Sequence, residues 1–196
     1  MSDTAALHPK FHHVNLKTTR LQEMIDFYRT LLGVEVQFQA GDGAWLTNDE
    51  ANHRIALLAF PGFVDDPEKD TRTGMHHSAF EYDSFEDLNA SYLRLREAGL
   101  TPDICLDHGM TLSYYYRDPD GNYVELQCDV FGDWRRSSAW MRESDEFHAN
   151  PMGTFVDPAL VAQAASEGAS FAEIHERAKA QEFSPQTAPV EIPYAE

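Results

Sequence analysis

Phe11-His12-His13-Val14-Asn15-Leu16 and His76-His77-Ser78-Ala79-Phe80-Glu81-Tyr82 each set a histidine pair at the head of an apolar, strand-like stretch. After the first comes Thr19-Arg20-Leu21-Gln22, whose spacing is that of a helix-opening capping box. Leu21, Met24, Ile25, Tyr28 and Leu32 then recur at helical spacing, and Gly33 can supply a left-handed stop. Residues 34–39 alternate like a strand, Gly41-Asp42-Gly43 turns the chain, and residues 44–47 and 53–60 extend again. The order is β-α-β-β-β. The second stretch repeats it. Ser84 can cap a helix with Phe85, Leu88, Tyr92 and Leu95 on one face and Gly99 after its end. Three strands are expected over residues 103–106, 112–117 and 123–128. His13 lies 20 residues before Gly33, and His77 lies 22 before Gly99. Such a duplication predicts an α+β fold of paired βαβββ modules, because neither half could bury its sheet face alone.

The modules fall at about residues 8–60 and 75–130 of a domain spanning 8–130, joined by a loop over 61–73 rich in Asp, Pro and Gly. Residues 131–196 form a C-terminal helical and extended tail. Helices are expected there over residues 157–165 and 170–180, and an extended end beyond Ser184. Trp134 and Trp140 read as packing residues, and His8, His148 and His175 as surface histidines.

The 196 residues carry 15 Lys and Arg against 33 Asp and Glu, a formal charge of −18. A body so acidic repels phosphate backbones and anionic lipid, which argues against nucleic-acid and membrane partners. At 42% hydrophobic and 12% aromatic the chain can build a core. No apolar run reaches the roughly 20 residues of a membrane span, and the first ten residues lack a signal-peptide pattern. Two cysteines, Cys105 and Cys128, are too few for a disulfide scaffold. The expectation is a cytoplasmic protein.

Three residues have the makings of a metal centre. His13 and His77 hold equivalent places in the repeat. Glu125, in Tyr123-Val124-Glu125-Leu126, faces away from its apolar neighbours. An inward carboxylate is costly unless it is paired or binds a metal. Two imidazoles and one carboxylate are the ligand set of non-haem Fe(II) oxygenases.

Three stretches carry a resemblance over about residues 8–130: His12-His13-Val14, Met75-His76-His77-Ser78-Ala79-Phe80, and Tyr115-Tyr116-Arg117-Asp118-Pro119-Asp120-Gly121-Asn122-Tyr123-Val124-Glu125. On these the chain resembles the vicinal oxygen chelate superfamily and, within it, the type I extradiol ring-cleaving dioxygenases. The resemblance implies a curved mixed sheet around a metal site, with His13, His77 and Glu125 holding Fe(II), or Mn(II) in its place. It makes His53, His108 and Tyr115 the catalytic residues. His53 would move a proton, while His108 and Tyr115 would hydrogen-bond the substrate oxygens. The chain departs from the pattern at Tyr114, where an aliphatic residue is usual, and in the length of the loop between His53 and His77.

Aligning the halves on each other sets Ala56 opposite Glu125. The fourth symmetric ligand position is therefore empty, where a glyoxalase-type site commonly has another ligand. The reading is an Fe(II)-dependent dioxygenase that cleaves a catechol-type substrate with O2, in a chain that pairs as a homo-oligomer, a dimer or larger. The rival reading is a glyoxalase-type isomerase or lyase, or a small-molecule binding protein on the same fold.

Overall fold

The computed structural model describes residues 8–187. They divide into two compact units, one running to Thr73 and including Asp118–Asp120, the other taking Gly74–Arg117 and the chain from Gly121.

In the first unit, β1 (Val14–Lys17) leads to α1 (Leu21–Leu32), β2 (Glu35–Ala40), β3 (Gly43–Thr47) and β4 (Ile55–Leu58). The strands lie in the order β1-β4-β3-β2, with β1 parallel to β4 and the other pairs antiparallel. Helix α1 buries Met24, Ile25, Phe27, Tyr28 and Leu31 and ends on Gly33 at φ 65°. Its apolar stripe thus takes Phe27 and Leu31 in place of the Leu21 and Leu32 that the spacing suggests.

The capping box does not form. The Thr19 hydroxyl donates to Asp65 at 2.7 Å and the Gln22 amide to Asp26 at 3.0 Å. Arg20 takes the cap position without a side-chain bond to the helix. Its guanidinium instead pairs with Asp65 and Asp120 and donates to the Pro119 carbonyl.

The Asp118–Asp120 turn is held by α1 at a second point, where the buried Tyr28 hydroxyl donates to Asp118 at 3.0 Å. A hydrogen bond to a charged group contributes about 1.5–3 kcal/mol. Tyr28→Phe is therefore expected to lower Tm by several degrees, given roughly 2–4 °C per kcal/mol for a chain of this size. Calorimetry would check it; an unchanged melt would mean that water replaces the hydroxyl.

The second unit repeats the order: β5 (His77–Tyr82), α2 (Phe85–Glu97), β6 (Ile104–Asp107), β7 (Thr111–Arg117) and β8 (Tyr123–Asp129). Here the local reading holds. Ser84 accepts the Asp87 amide, and Phe85, Leu88, Tyr92 and Leu95 are all buried. The strand order is β5-β8-β7-β6-β9, in which β9 (Thr154–Phe155) comes from the tail and pairs with β6. Each opening strand pairs on one side alone, β1 with β4 and β5 with β8. Among the described residues the strands form two mixed sheets, of four and five strands, one in each unit.

Beyond β8 the tail forms α3 (Trp134–Glu143), α4 (Asp145–Ala149), then β9, α5 (Pro158–Ser166) and α6 (Phe171–Lys179). Only α5 and α6 are expected from sequence. Asp157 caps α5, and Ser170 with Glu173 closes a capping box on α6. His175 is not on the surface. It is 9% exposed, because Asp107, 68 residues earlier, takes its Nδ1 at 2.7 Å. The end expected beyond Ser184 lies mostly outside the described residues.

Candidate functional site

Strand register sets the site. In the second unit β5 and β8 run parallel with His77 opposite Tyr123 and Ala79 opposite Glu125. In the first unit β1 and β4 run parallel with Asn15 opposite Ala56. Asn15 lies two residues after His13, as Ala79 lies two after His77, so Ala56 holds the place of Glu125. One strand over, Tyr115 faces Glu125 and Trp45 faces Ala56. The carboxylate and phenol of one unit are thus a methyl and an indole in the other.

Around Glu125 the second unit gathers three further groups. One carboxylate oxygen lies 3.0 Å from His77 Nε2, and the other accepts the Tyr115 hydroxyl at 2.9 Å. His108 Nε2 lies 2.9 Å from the same hydroxyl. Burial by itself would lift the Glu125 carboxyl, but hydrogen bonds from His77, Ser113 and Tyr115 outweigh it and hold the group below the usual carboxylate range. Burial, joined by the Glu125 charge, pushes the Tyr115 phenol far up, so it keeps its proton. Burial also pushes His108 down, against the pull of Glu125, so the imidazole is neutral near pH 7.

These groups line an open cavity of about 500 Å³, a volume ordinary for a small-ligand site. Met110 and Met141 supply apolar wall, and Trp134 reaches it from the tail. Trp134 is 70% exposed, contrary to its reading as a packing residue, and its Nε1 donates to Glu81 at 2.8 Å. Trp140 does pack, between Phe131 and Phe147. The cavity wall from α3 is not legible in the sequence, because that helix is rich in Arg and Ser and carries few apolar residues.

In the first unit His13 and His53 sit just ahead of β1 and β4, and the parallel pairing brings their rings to 4.4 Å between centroids. His12, which no sequence signal singles out, joins them. Ring nitrogens of His12, His13 and His53 all lie within 4.8 Å of one another, a group able to hold a metal ion. Burial, helped by its two histidine neighbours, pushes His53 below the ordinary imidazole range.

The donors suit a divalent metal. Glu125 is 5% exposed, and among the described residues lining its cavity there is no Lys or Arg. A buried carboxylate with only imidazole and hydroxyl groups around it lacks a permanent cation, and the mixed O and N set matches iron or manganese.

Comparison with known proteins agrees with this geometry. Residues 10–126 match the model of the Glyoxalase/Bleomycin resistance protein/Dioxygenase superfamily. The chain is 40% identical over 177 residues to biphenyl-2,3-diol 1,2-dioxygenase 2 of Rhodococcus globerulus, covering 90% of this chain and 92% of that one. It is 36% identical over 170 residues to biphenyl-2,3-diol 1,2-dioxygenase 3 of the same organism, covering 87% and 89%. Among solved structures, a glyoxalase/dioxygenase from Nostoc punctiforme shares the fold at 20% identity with a TM-score of 0.51, over 65% of this chain and 99% of that one. With its repeated β-α-β-β-β order and a family match over more than half its length, the chain belongs to the glyoxalase/bleomycin resistance protein/dioxygenase superfamily.

Proposed function

We propose that the chain is an Fe(II)-dependent extradiol dioxygenase that opens the aromatic ring of a catechol-type substrate beside its two hydroxyls, both atoms of O2 entering the product. The observation that carries this is the hydrogen-bonded set His77, Glu125, Tyr115 and His108 at one cavity wall. The family relatives named as ring-diol dioxygenases support it. So does Ala56, which puts a methyl where a fourth protein ligand would otherwise stand.

His13, His77 and Glu125 would hold the iron. When bound, iron offers one centre at which diol and O2 are oriented and electrons pass between them. The protein does the rest. His53, kept neutral by its surroundings, takes a proton from a substrate hydroxyl. Tyr115, which keeps its own proton, donates a hydrogen bond to the substrate oxygen. His108 hydrogen-bonds a substrate oxygen and donates a proton to it as the ring opens. Met110, Met141 and Trp134 offer the ring an apolar surface to lie against. A cytoplasmic setting would keep the buried free thiols Cys105 and Cys128 reduced.

Protein loaded with Fe(II) without air and mixed with a catechol is expected to consume O2 and turn yellow only once air is admitted. No oxygen uptake with any substituted catechol would leave the isomerase or binding readings standing in its place. Removing a proton-transfer group costs about 10²- to 10⁴-fold in rate. His53→Ala and His108→Ala are therefore expected to keep iron and bind catechol while kcat falls by that order. A variant that raises KM alone would mean its residue positions substrate and moves no proton.

A further inference from the structure

The first unit holds a cluster of metal-ligating side chains made of imidazole alone. The Nδ1 atoms of His12 and His13 stand 3.0 Å apart. The His53 ring lies 5.4 Å from that of His12 and 4.4 Å from that of His13, centroid to centroid. Each ring brings a nitrogen to within 4.8 Å of the other two. A tetrahedral zinc ion with bonds of about 2.1 Å holds its nitrogens about 3.4 Å apart. Rotation of the rings closes the difference, since His12 and His13 are exposed and His53 is half-buried. The hydrogen shared between His12 and His13 would move to the far nitrogen of its own ring, which gives the ion a bare lone pair.

Three surface histidines can meet by chance, but the two stretches that carry these are braced by one residue. Arg54, next to His53, donates from its guanidinium to the His12 carbonyl at 2.9 Å, and its own carbonyl accepts the Val14 amide at 3.0 Å. The Arg54 amide bonds the Leu46 carbonyl at 2.8 Å, which ties the brace to β3. The backbone about residues 12–14 is thereby fixed against that about 53–54, so an ion has only side chains to order. The Arg54 charge would repel a cation, but Asp49 answers it, 2.9 Å from Nε and 2.8 Å from Nη2. The net charge of −18 adds a long-range pull on any cation.

We propose that His12, His13 and His53 form a site for zinc, with water in the fourth position, and that filling it shuts iron out. Three imidazoles with one open position are a donor set that zinc accepts. A neutral set without oxygen suits zinc, copper or nickel, whereas manganese, magnesium and calcium favour carboxylates. A neutral imidazole has one bare nitrogen, so His13 can serve one ion at a time. Since His13 is also an expected iron ligand, the two occupancies exclude each other. Zinc would engage His53 as well, the residue given the first proton transfer. The zinc site is independent of the proposed function; the exclusion of iron rests on the ligand set given there.

The test begins with the metal-free full chain carrying Glu125→Gln, in which the iron set lacks its charge. Titrated with Zn²⁺ in a calorimeter, it is expected to bind one equivalent and keep it through gel filtration, and to bind Mn²⁺ far more weakly. Adding His12→Ala should remove that equivalent, and adding His77→Ala should leave it, with far-UV circular dichroism reporting the fold of each chain. Absence of bound zinc in Glu125→Gln, or zinc that survives His12→Ala, would overturn the site. Equal binding of Mn²⁺ would overturn its all-imidazole make-up. Exclusion is read as iron content. Metal-free wild type given Zn²⁺ first and Fe(II) second should take up less iron than with Fe(II) alone, and His12→Ala should regain part of the loss. An equal loss in both chains would overturn the exclusion. Neither arm counts turnover, so a chain that cleaves no catechol would sink the proposed function while zinc binding still decides this one.

Discussion

Glu125→Gln is expected to emerge from purification without iron and without ring cleavage, still folded. The amide fills the same space and accepts from Tyr115 as before, so packing is preserved. What it loses is the single negative charge that the set holds at 5% exposure. Without that charge the remaining donors are neutral imidazoles, and a divalent cation is far less favoured over water. His77→Ala should also lose iron but cost stability. It leaves the buried Glu125 without its 3.0 Å partner, and a buried carboxylate stripped of a partner is expensive. His13→Ala should lose iron as well, and His12→Ala should keep it, which separates the expected ligand from the neighbour that shares its cluster. Metal analysis after gel filtration, alongside far-UV circular dichroism, reads all four. Stoichiometric iron and full turnover in Glu125→Gln would remove Glu125 from the ligand set.

Sequence is most legible where structure is decided within one turn of chain. Ser84 caps α2 through an amide three residues away, and the α2 stripe of Phe85, Leu88, Tyr92 and Leu95 buries as its spacing demands. The start of α1 fails for the converse reason. Thr19 has the right hydroxyl, but Asp65, 46 residues on, recruits it. Helix α3 is hidden because Arg135, Arg136, Ser137 and Ser138 leave it few apolar residues, and because Trp134 faces the cavity mouth. A two-residue strand such as β9 has no period at all; only pairing with β6 defines it.

For the site, the repeat carries more than any motif. It puts His13 and His77 in equivalent places, and strand register bears out the alignment of Ala56 on Glu125. The neighbourhood of His108, Tyr115 and Glu125 is expected only through resemblance, and the side chains meet at 2.9 Å. His175 could not be found this way. A lone histidine on a charged amphipathic helix reads as solvent-facing, and its partner Asp107 belongs to a strand that nothing in the sequence links to the tail.

Ending the chain at Asp129 is the severest change. It removes α3 to α6 and β9 and uncovers what they cover. Phe171 stacks on Phe85 with rings 4.8 Å apart, the Val156 amide bonds the Cys105 carbonyl at 3.0 Å, and β9 closes the outer side of β6. Phe85, Ile104 and Leu106 are each under 8% exposed in the full chain. Keeping a side chain of this size from water is worth about 1.5–3 kcal/mol, so three together come to roughly 5–9 kcal/mol. A whole domain is stable by only about 5–15 kcal/mol. Strand β6 would also become an exposed edge with unpaired amides and carbonyls, a template for pairing with another chain. The truncated protein is therefore expected to aggregate, or to melt far below the full chain, and to show no turnover. Solubility, calorimetry and oxygen uptake measured together would check it. A soluble chain ending at Asp129 with unchanged melting and kinetics would mean that the extension does not complete the second unit's core.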